Sequence, residues 1–569
     1  MSSIQNNKTT VKQYDASKYA PMVTLDKPDR RWPNQTIDVS PMWCSVDLRD
    51  GNQALIDPMT PPQKLEMFEM LVAVGFKHIE VGFPSASQTD FDFVRKLITE
   101  DRVPSDVNIQ VLTQARKELI DRTYESLMGA KRAIVHVYNS TSTVQREHVF
   151  KLSKDAIKQI AVDGATWVKE GAEKQPDTEW QFQYSPESFT GTEIEYAIEV
   201  CDAVIDVWQP SPANKAIINL PATVEVAMPN VYADQIEWFC DNIKHRDALV
   251  ISLHTHNDRG CGVAASEMGV LAGADRVEGT LLGNGERTGN MDIVTMGMNL
   301  YSRGVDPMLD FSAMDQIISV VEKCTQLKVH PRHPYAGELV FAAFSGSHQD
   351  AINKCLANYE EGSTWEVAYL PIDPRDLGRN YQEVIRINSQ SGKGGVAYVL
   401  KHEHGIKMPR WLQVDFSPVV QKEAEVTEAE VSPDQIHDLF KRTYLKVDGK
   451  AKLKGYQINR TDGVDHMSAE LKVDSQKLAI QGQGRGVLEA FVSALSEHLG
   501  ESFVIIDYNE HTLGKDEGSE AMAYVQISMN QQRVCGAGKS RDILGASLNA
   551  VLAAVARGMA LQGRARDAA

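Results

Sequence analysis

Apolar and polar positions follow two rhythms from residue 41 to residue 320. Short apolar runs alternate with longer stretches whose apolar residues recur at helical spacing. The runs are MWCSVDLRD, HIEVGF, NIQVLTQ, AIVHVYNS, WQFQYSPES, AIINLPATVE, ALVISLHTHND and RVEGTLLGNGE, and PPQKLEMFEMLVAVG and TEIEYAIEVCDAVIDVW are two of the stretches between them. Eight β-α alternations in one segment fit a closed (β/α)8 barrel better than an open doubly wound sheet. Such barrels carry their chemistry at the C-terminal ends of the strands. Each run delivers a polar group there: Asp50, Glu80, Gln114, His136, Glu187, Thr223, the pair His254 and His256, and Asn290 just after the eighth run.

Beyond the barrel the rhythm changes. Residues 321–446 mix helical stretches with proline and glycine and read as small helical linker subdomains, with the acidic QKEAEVTEAEV as a connecting linker. SGKGG (391–395) lacks the spacing of a phosphate loop, and KHEHG (401–405) reads as a solvated turn. Residues 447–569 contain a diffuse duplication, SAELKVDSQKLAIQGQGRGVLEAFVSALSEHLG and AMAYVQISMNQQRVCGAGKSRDILGASLNAVLAAVARG. Each copy reads as strand, turn, strand, glycine-rich turn, helix. Together they form an α+β unit of two pseudo-symmetric halves, either a module with a ligand cleft between the halves or a plain dimerisation module. Residues 1–40, polar and proline-punctuated, form an N-terminal arm.

Composition narrows the partners. A chain of 569 residues exceeds the ~250–300 at which single cores stop growing, so several domains are expected. The net charge of -18 argues against nucleic acid and anionic membranes as main partners, while leaving room for a local basic pocket for a phosphorylated cofactor. The N-terminus lacks the apolar core of a secretion signal, and the apolar ILGASLNAVLAAVARGMAL carries Ser547, Asn549 and Arg557, so a packed helix is expected rather than a membrane span. Seven scattered cysteines without a CxxC pair suit a reducing, cytoplasmic setting.

The chemistry concentrates in LHTHNDRG. His254 and His256 stand at i and i+2 on a strand and so share a face. Closing the barrel makes the eighth strand a neighbour of the first, which brings Asp50 and Asn290 to the two imidazoles. Two nitrogens, a carboxylate and an amide oxygen suit Zn2+, Mn2+, Co2+ or Mg2+ with positions left open for substrate. An ion beside Arg49 suits a 2-oxo acid, whose keto and carboxylate oxygens can chelate it while the guanidinium stabilises the developing oxyanion. On the strand pattern Asp47 shares the face of Arg49 and not that of Asp50. Arg49 as a salt-bridge partner of Glu80 is the competing role.

The motifs DLRDGNQ, HIEVGFP, QYSPESFTGTE, NLPATVE, LHTHNDRG and GTLLGNGERTGN together resemble the acyl-CoA Claisen-condensing barrel family, which includes isopropylmalate, homocitrate and citramalate synthases and hydroxymethylglutaryl-CoA lyase. FSGSHQDAI and YLPIDPRDLGRNY are similar to its long bacterial, isopropylmalate-forming branch. The resemblance runs from about residue 20 to the C-terminus. It implies an acyltransferase that condenses acetyl-CoA, as co-substrate, with 3-methyl-2-oxobutanoate, hydrolyses the thioester and opens leucine synthesis. Homocitrate or citramalate synthesis is the alternative. A leucine-sensing protein on an inactive barrel and a lyase running the reverse cleavage are the further rivals, disfavoured by the intact ligand set and by the regulatory tail respectively.

Carried over residue by residue, Asp50, His254, His256 and Asn290 match the family's divalent-metal positions, with Mg2+ as the ion and Mn2+ or Zn2+ as alternatives. Arg49 matches the group that polarises the keto acid and Glu80 the acid that holds it. Gln53, His136, Ser185 and Thr223 match substrate-binding positions, and Glu187 a catalytic acid. His348 and Tyr381 match groups supplied by the partner subunit of a homodimer, His348 being the leading candidate for the base that deprotonates the acetyl methyl group. The resemblance also implies feedback inhibition by L-leucine bound between the halves of 447–569. The glycines of GNGERTGN either let the backbone approach CoA or serve a tight turn.

Overall fold

A computed structural model describes residues 18–19, 25–343, 345–379, 393–427, 431–445, 451–473, 476–513 and 520–567. They divide into two compact units, one made of residues 1–340 with 376–378, the other of 341–375 with 379–569. Most of the N-terminal arm, all of Tyr381 and the start of SGKGG lie outside the described residues.

The first unit is a closed parallel barrel of eight strands in sequential order. They are β1 (Met42–Ser45), β2 (His78–Gly82), β3 (Asn108–Gln114), β4 (Arg132–Ser140), β5 (Glu179–Glu187), β6 (Ala216–Ala222), β7 (Leu249–Thr255) and β8 (Arg276–Gly279). Each apolar run of the sequence supplies one strand. The helices between them start and stop where local chemistry dictates. Thr60 and Gln63 form a capping box ahead of Pro61–Val74, Pro61 opens the helix with a φ already suited to it, and Gly75 closes it at φ 111°. Ile134, Ile217 and Val250, near the N-terminal ends of their strands, form an apolar floor inside the barrel.

In the second unit the duplicated segments have three strands per copy, not two. β9 (Ala451–Thr461), β10 (Val464–Val473) and β11 (Gln476–Gly484) form an antiparallel sheet backed by the helix Val487–Leu499. β12 (Phe503–Leu513), β13 (Glu520–Met529) and β14 (Gln532–Ser540) repeat it, backed by Ile543–Asp567. The two halves share one apolar core that includes Phe491, Val525 and Val551. β9 and β12 escaped the pattern reading because they are edge strands, mostly exposed, and carry little of the apolar alternation.

Of the glycines expected in a turn, Gly482 and Gly484 lie within β11 and Gly536 and Gly538 within β14, while Gly486 stands between β11 and its helix. A Cβ on Gly482 would stand 2.4 Å from Ala490 O, and one on Gly536 2.4 Å from Ala554 N. The absent side chains let each helix settle directly on its sheet. Ile543–Leu561 has the length and hydropathy of a membrane span, yet 56% of that window is buried inside the protein.

The linker segment also departs from expectation in two places. QKEAEVT is the end of the helix Arg410–Thr427, since Lys, Glu and Ala are strong helix formers that extend it. KHEH closes the helix Lys393–His404, where His404 stacks on His437 at 3.8 Å, and only Gly405 is a turn.

Gly538 gives a test of the close helix–sheet packing. A methyl there would meet Ala546 O at 2.1 Å and Ala550 N at 2.4 Å. Gly538→Ala should cost about 1–3 kcal/mol of stability, read as an earlier midpoint in guanidinium unfolding followed by a C-terminal probe. An unchanged midpoint would contradict this packing.

Candidate active site

The site begins where β1 stops. Residues Asp47–Gly51 form a π-helical turn, so strand alternation does not extend past Ser45 and the expected shared face of Asp47 and Arg49 does not hold. The wide turn points Arg49 and Asp50 into one cavity. Asp47 is turned into the protein, where its carboxylate accepts the Leu281 N–H at 3.1 Å and ties β1 to the segment after β8. That segment folds back along β7. His256 bridges Asn290, and Met291 N donates to Thr255 O at 2.9 Å. GNGERTGN achieves this reversal with its glycines. A Cβ on Gly285 would sit 1.7 Å from Asn290 Oδ1, and one on Gly289 2.0 Å from Gly283 O. The tight-turn reading accounts for them.

Asp50 Oδ2 is the point of convergence. It lies 3.1 Å from His254 Nε2 and 3.2 Å from His256 Nε2 and accepts from Asn290 Nδ2 at 2.8 Å. All four residues are buried. Asp50, His254 and His256 offer ligand atoms within 4.8 Å of one another. Burial alone would raise the Asp50 carboxyl, but Arg49 and the two imidazoles hold it well below the usual carboxylate range.

This donor set fits a divalent ion. Both imidazoles direct Nε2 toward Asp50, and Asn290 meets the cluster through its side-chain amide, whose Oδ1 is buried without a hydrogen bond. The charges agree. Among the buried groups of the site Asp50, Glu80 and Glu278 face the guanidinium groups of Arg49 and Arg276, three negative charges against two positive. Neutral imidazoles would leave an excess negative charge, which an ion or a proton on His254 offsets.

A second chain of hydrogen bonds runs away from Arg49. Its Nε donates to Glu80 Oε1 and an Nη to Asp50 Oδ1. Glu80 Oε2 meets His136 Nδ1 at 2.7 Å, and His136 Nε2 meets Ser185 Oγ at 2.7 Å. Asn219 Nδ2 donates to Ser185 Oγ at 3.0 Å, leaving Asn219 Oδ1 buried and unpaired at the cavity wall. Arg49 thus serves both roles considered for it: it pairs with Glu80 and faces the cavity.

The cavity holds about 270 Å³. Of the residues singled out in the sequence, Arg49, Asp50, Gln53, His136, Ser185, Glu187, Thr223, His254 and His256 line it, while Glu80 and Asn290 stand behind the lining. Ser140 Oγ donates to the Glu187 carboxylate, and Thr223 Oγ1 accepts the Ser188 N–H at 2.9 Å, which fixes the turn after β5 with Ser188 at φ 61°. Gln114 donates instead to the hydroxyl of Tyr138, itself a lining residue. His348 lies exposed on the helix Gly346–Asn358 of the second unit, its ring stacked on Tyr369 at 3.9 Å. Glu278, Gln110, Gln183, Asn219 and Arg276 were missed in the sequence. Their signal was a polar residue on the inward-facing alternation of an otherwise apolar strand; Gln183 and Glu278 pair directly with His136 and His254.

The fold and this rim define an HMGL-like barrel: the family model of that description matches residues 40–321. Models described as the alpha-isopropylmalate synthase post-catalytic domain and the LeuA allosteric (dimerisation) domain match residues 338–401 and 430–559. The chain is 56% identical over 547 residues to a 2-isopropylmalate synthase of Alcanivorax borkumensis, covering 96% of this chain and 98% of that one. It is 54% identical to one of Pseudomonas savastanoi, covering 96% and 97%. A crystal structure of hydroxymethylglutaryl-CoA lyase from Pseudomonas aeruginosa is 18% identical, covers 51% of this chain and 94% of that one, and gives a TM-score of 0.42. The chain belongs to the 2-isopropylmalate synthase family and is an acyltransferase of the HMGL-like class.

The electrostatics of His254 give a test that needs no turnover. Burial pushes its imidazole down, but Asp50 and Glu278 outweigh that and lift it from 6.5 to about 9 in the metal-free protein. An imidazolium cannot ligate, so ion uptake must expel a proton. The apparent Mn2+ affinity should therefore rise about tenfold per pH unit toward pH 9, with proton release seen by calorimetry in buffers of different ionisation enthalpy. In the metal-free protein the sign is opposite. The stabilisation from His254 is complete below its unfolded value of 6.5 and fades as pH rises through 9. Affinity independent of pH over this span would contradict the assignment.

Proposed function

We propose that the chain condenses acetyl-CoA with 3-methyl-2-oxobutanoate and water to give 2-isopropylmalate and CoA, the first committed step of leucine synthesis. The observation that carries this reading is the convergence of Asp50, His254 and His256 beside Arg49 in one cavity of about 270 Å³, in a chain 56% identical over its length to a 2-isopropylmalate synthase. A divalent ion held by Asp50, His254, His256 and Asn290, with Mg2+ the first choice and Mn2+ or Zn2+ alternatives, would supply Lewis-acid polarisation of the keto group.

The chain's own groups do the rest. Arg49, held by Glu80, donates to the oxygen that becomes negative as the keto carbon is attacked. His136, Ser185 and Thr223 orient the 2-oxo acid, and Gln53 at the mouth adds a donor. A base must take a proton from the acetyl methyl group. His348 fills that role with Glu187, and Tyr381 stands with it, both supplied by the partner subunit of a homodimer. The enolate carbon then bonds to the keto carbon, and water cleaves the thioester to release CoA. L-leucine binds between the halves of 447–569 and lowers the rate, and the enzyme works in the cytoplasm.

The test follows free thiol released from acetyl-CoA with a panel of 2-oxo acids, with and without chelator and leucine. 3-Methyl-2-oxobutanoate should give the highest kcat/KM, chelator should abolish turnover and leucine should depress it. Preference for pyruvate or 2-oxoglutarate would move the assignment to citramalate or homocitrate synthesis. Arg49→Lys should lower kcat about 10²–10³-fold, because an ammonium cannot reproduce the two-sided hold on Glu80 and substrate. His348→Ala should lower turnover strongly while the keto-acid affinity stays near normal. Wild-type turnover of His348→Ala would remove it as the base.

A further inference from the structure

Barrels of this kind ordinarily fill their interior with aliphatic layers. Above the floor of Ile134, Ile217 and Val250 this one holds a charged layer that the proposed mechanism leaves unused. Arg276 is fully buried inside the barrel. It donates to Glu278 Oε1 at 2.7 Å, Gln183 Oε1 at 3.1 Å, Ser252 Oγ at 3.0 Å, Gln110 Oε1 at 2.8 Å and His78 Nδ1 at 3.1 Å. Glu278, equally buried, also takes Gln183 Nε2 at 2.7 Å on Oε1. Its other oxygen is aimed at the site: Oε2 accepts from His254 Nδ1 at 2.8 Å, across the paired register His254↔Glu278.

We infer that Glu278, anchored by Arg276, is a positioning residue that takes the Nδ1 proton of His254 and thereby holds the ring with Nε2 free to ligate. This rests on the reading that Asp50, His254, His256 and Asn290 hold a divalent ion. An imidazole has two tautomers, and only the one protonated on Nδ1 offers its Nε2 lone pair to the cavity. A carboxylate on Nδ1 selects that tautomer, fixes the ring plane and makes the ligating nitrogen more basic. Arg276 keeps the fully buried Glu278 charged, and Gln110 and Gln183 complete its hydrogen bonds, so the carboxylate cannot swing away from His254 without leaving a buried partner unpaired.

The rival role is purely structural, a buried ion pair that fills the barrel. The full-length protein, stripped with chelator, separates the two through Mn2+ titration calorimetry and thermal unfolding of three variants. Glu278→Asp keeps the charge but withdraws it from His254. Glu278→Gln keeps the shape but strands Arg276. The double change Arg276→Gln with Glu278→Gln removes both charges and leaves neither unpaired. The double variant and Glu278→Asp should fold and bind Mn2+ about 10–100-fold more weakly than wild type. Affinity within about twofold of wild type in folded Glu278→Asp and the double variant overturns the inference. So does failure of all three to fold, because the pair would then hold the barrel and not the ligand. If the wild-type protein itself bound no Mn2+, the metal reading would fail and take this inference with it.

Discussion

Three carboxylates and two guanidinium groups buried at the top of a β-barrel form the constraint on which the site depends. Each ionised group taken from water carries a desolvation cost of several kcal/mol. The barrel meets this cost with donors and acceptors at alternate strand positions: Gln110 on β3, Gln183 on β5, Ser252 on β7 and Arg276 on β8, all buried. Gln110 links the two arms of the site, its side chain donating to Glu80 Oε2 at 2.6 Å while accepting from Arg276. The Arg49–Glu80–His136 arm and the His254–Glu278 arm are therefore held by one scaffold. A shift of either is resisted by hydrogen bonds that lead to the other.

The sequence made the scaffold's frame legible for a simple reason. Eight buried strands separated by amphipathic helices repeat one pattern, and the rim residues stand where each run ends. Asp50, His254, His256 and Asn290 were readable because barrel closure forces strands seven, eight and one together whatever the details. The interior was not readable in the same way. Gln110, Gln183 and Glu278 lie inside runs that the eye takes as apolar, and only parity with His136 or His254 marks them as inward-facing. The turn at 47–51 was misjudged because five residues of π-helix leave no period in so short a stretch. His348 and Tyr381 came from motif resemblance alone, and no spacing argument reaches them; Glu187 was legible as a rim residue, but its catalytic role came from the resemblance.

In the second unit the pattern reading failed at the edges and succeeded in the core. Strands β9 and β12 have solvent on most of their side chains, so their sequences carry Lys, Gln, Asn and Glu where a core strand would alternate. β13 is the opposite case. Nearly every residue from Ala521 to Met529 is buried, on both faces of the strand. Behind it, Asp415 accepts from Tyr444 Oη at 2.5 Å and from Arg557 at 2.7 Å, and Arg557 also lies over the Tyr444 ring. This knot ties the helix Arg410–Thr427, the turn Lys441–Leu445 and the long C-terminal helix into one body. Removing Asp415 would leave the Tyr444 hydroxyl without its partner, a loss of about 1–3 kcal/mol.

Metal ligation and buried charge are coupled in one further sense. A site that must bind and release a cation needs a stable form without it, and Arg49, shared between Asp50 and Glu80, does not by itself offset the buried carboxylates. His254 resolves this. Between Asp50 Oδ2 and Glu278 Oε2 its ring can carry two protons, one toward each carboxylate, and the excess negative charge of the buried set Asp50, Glu80, Glu278, Arg49 and Arg276 is then offset. Loss of the inner proton turns the same nitrogen into a ligand, while the outer proton stays on Nδ1 against Glu278. Fold stability in the absence of the ion and readiness to receive it thus come from one imidazole, and the geometry that permits both is the paired register of β7 and β8.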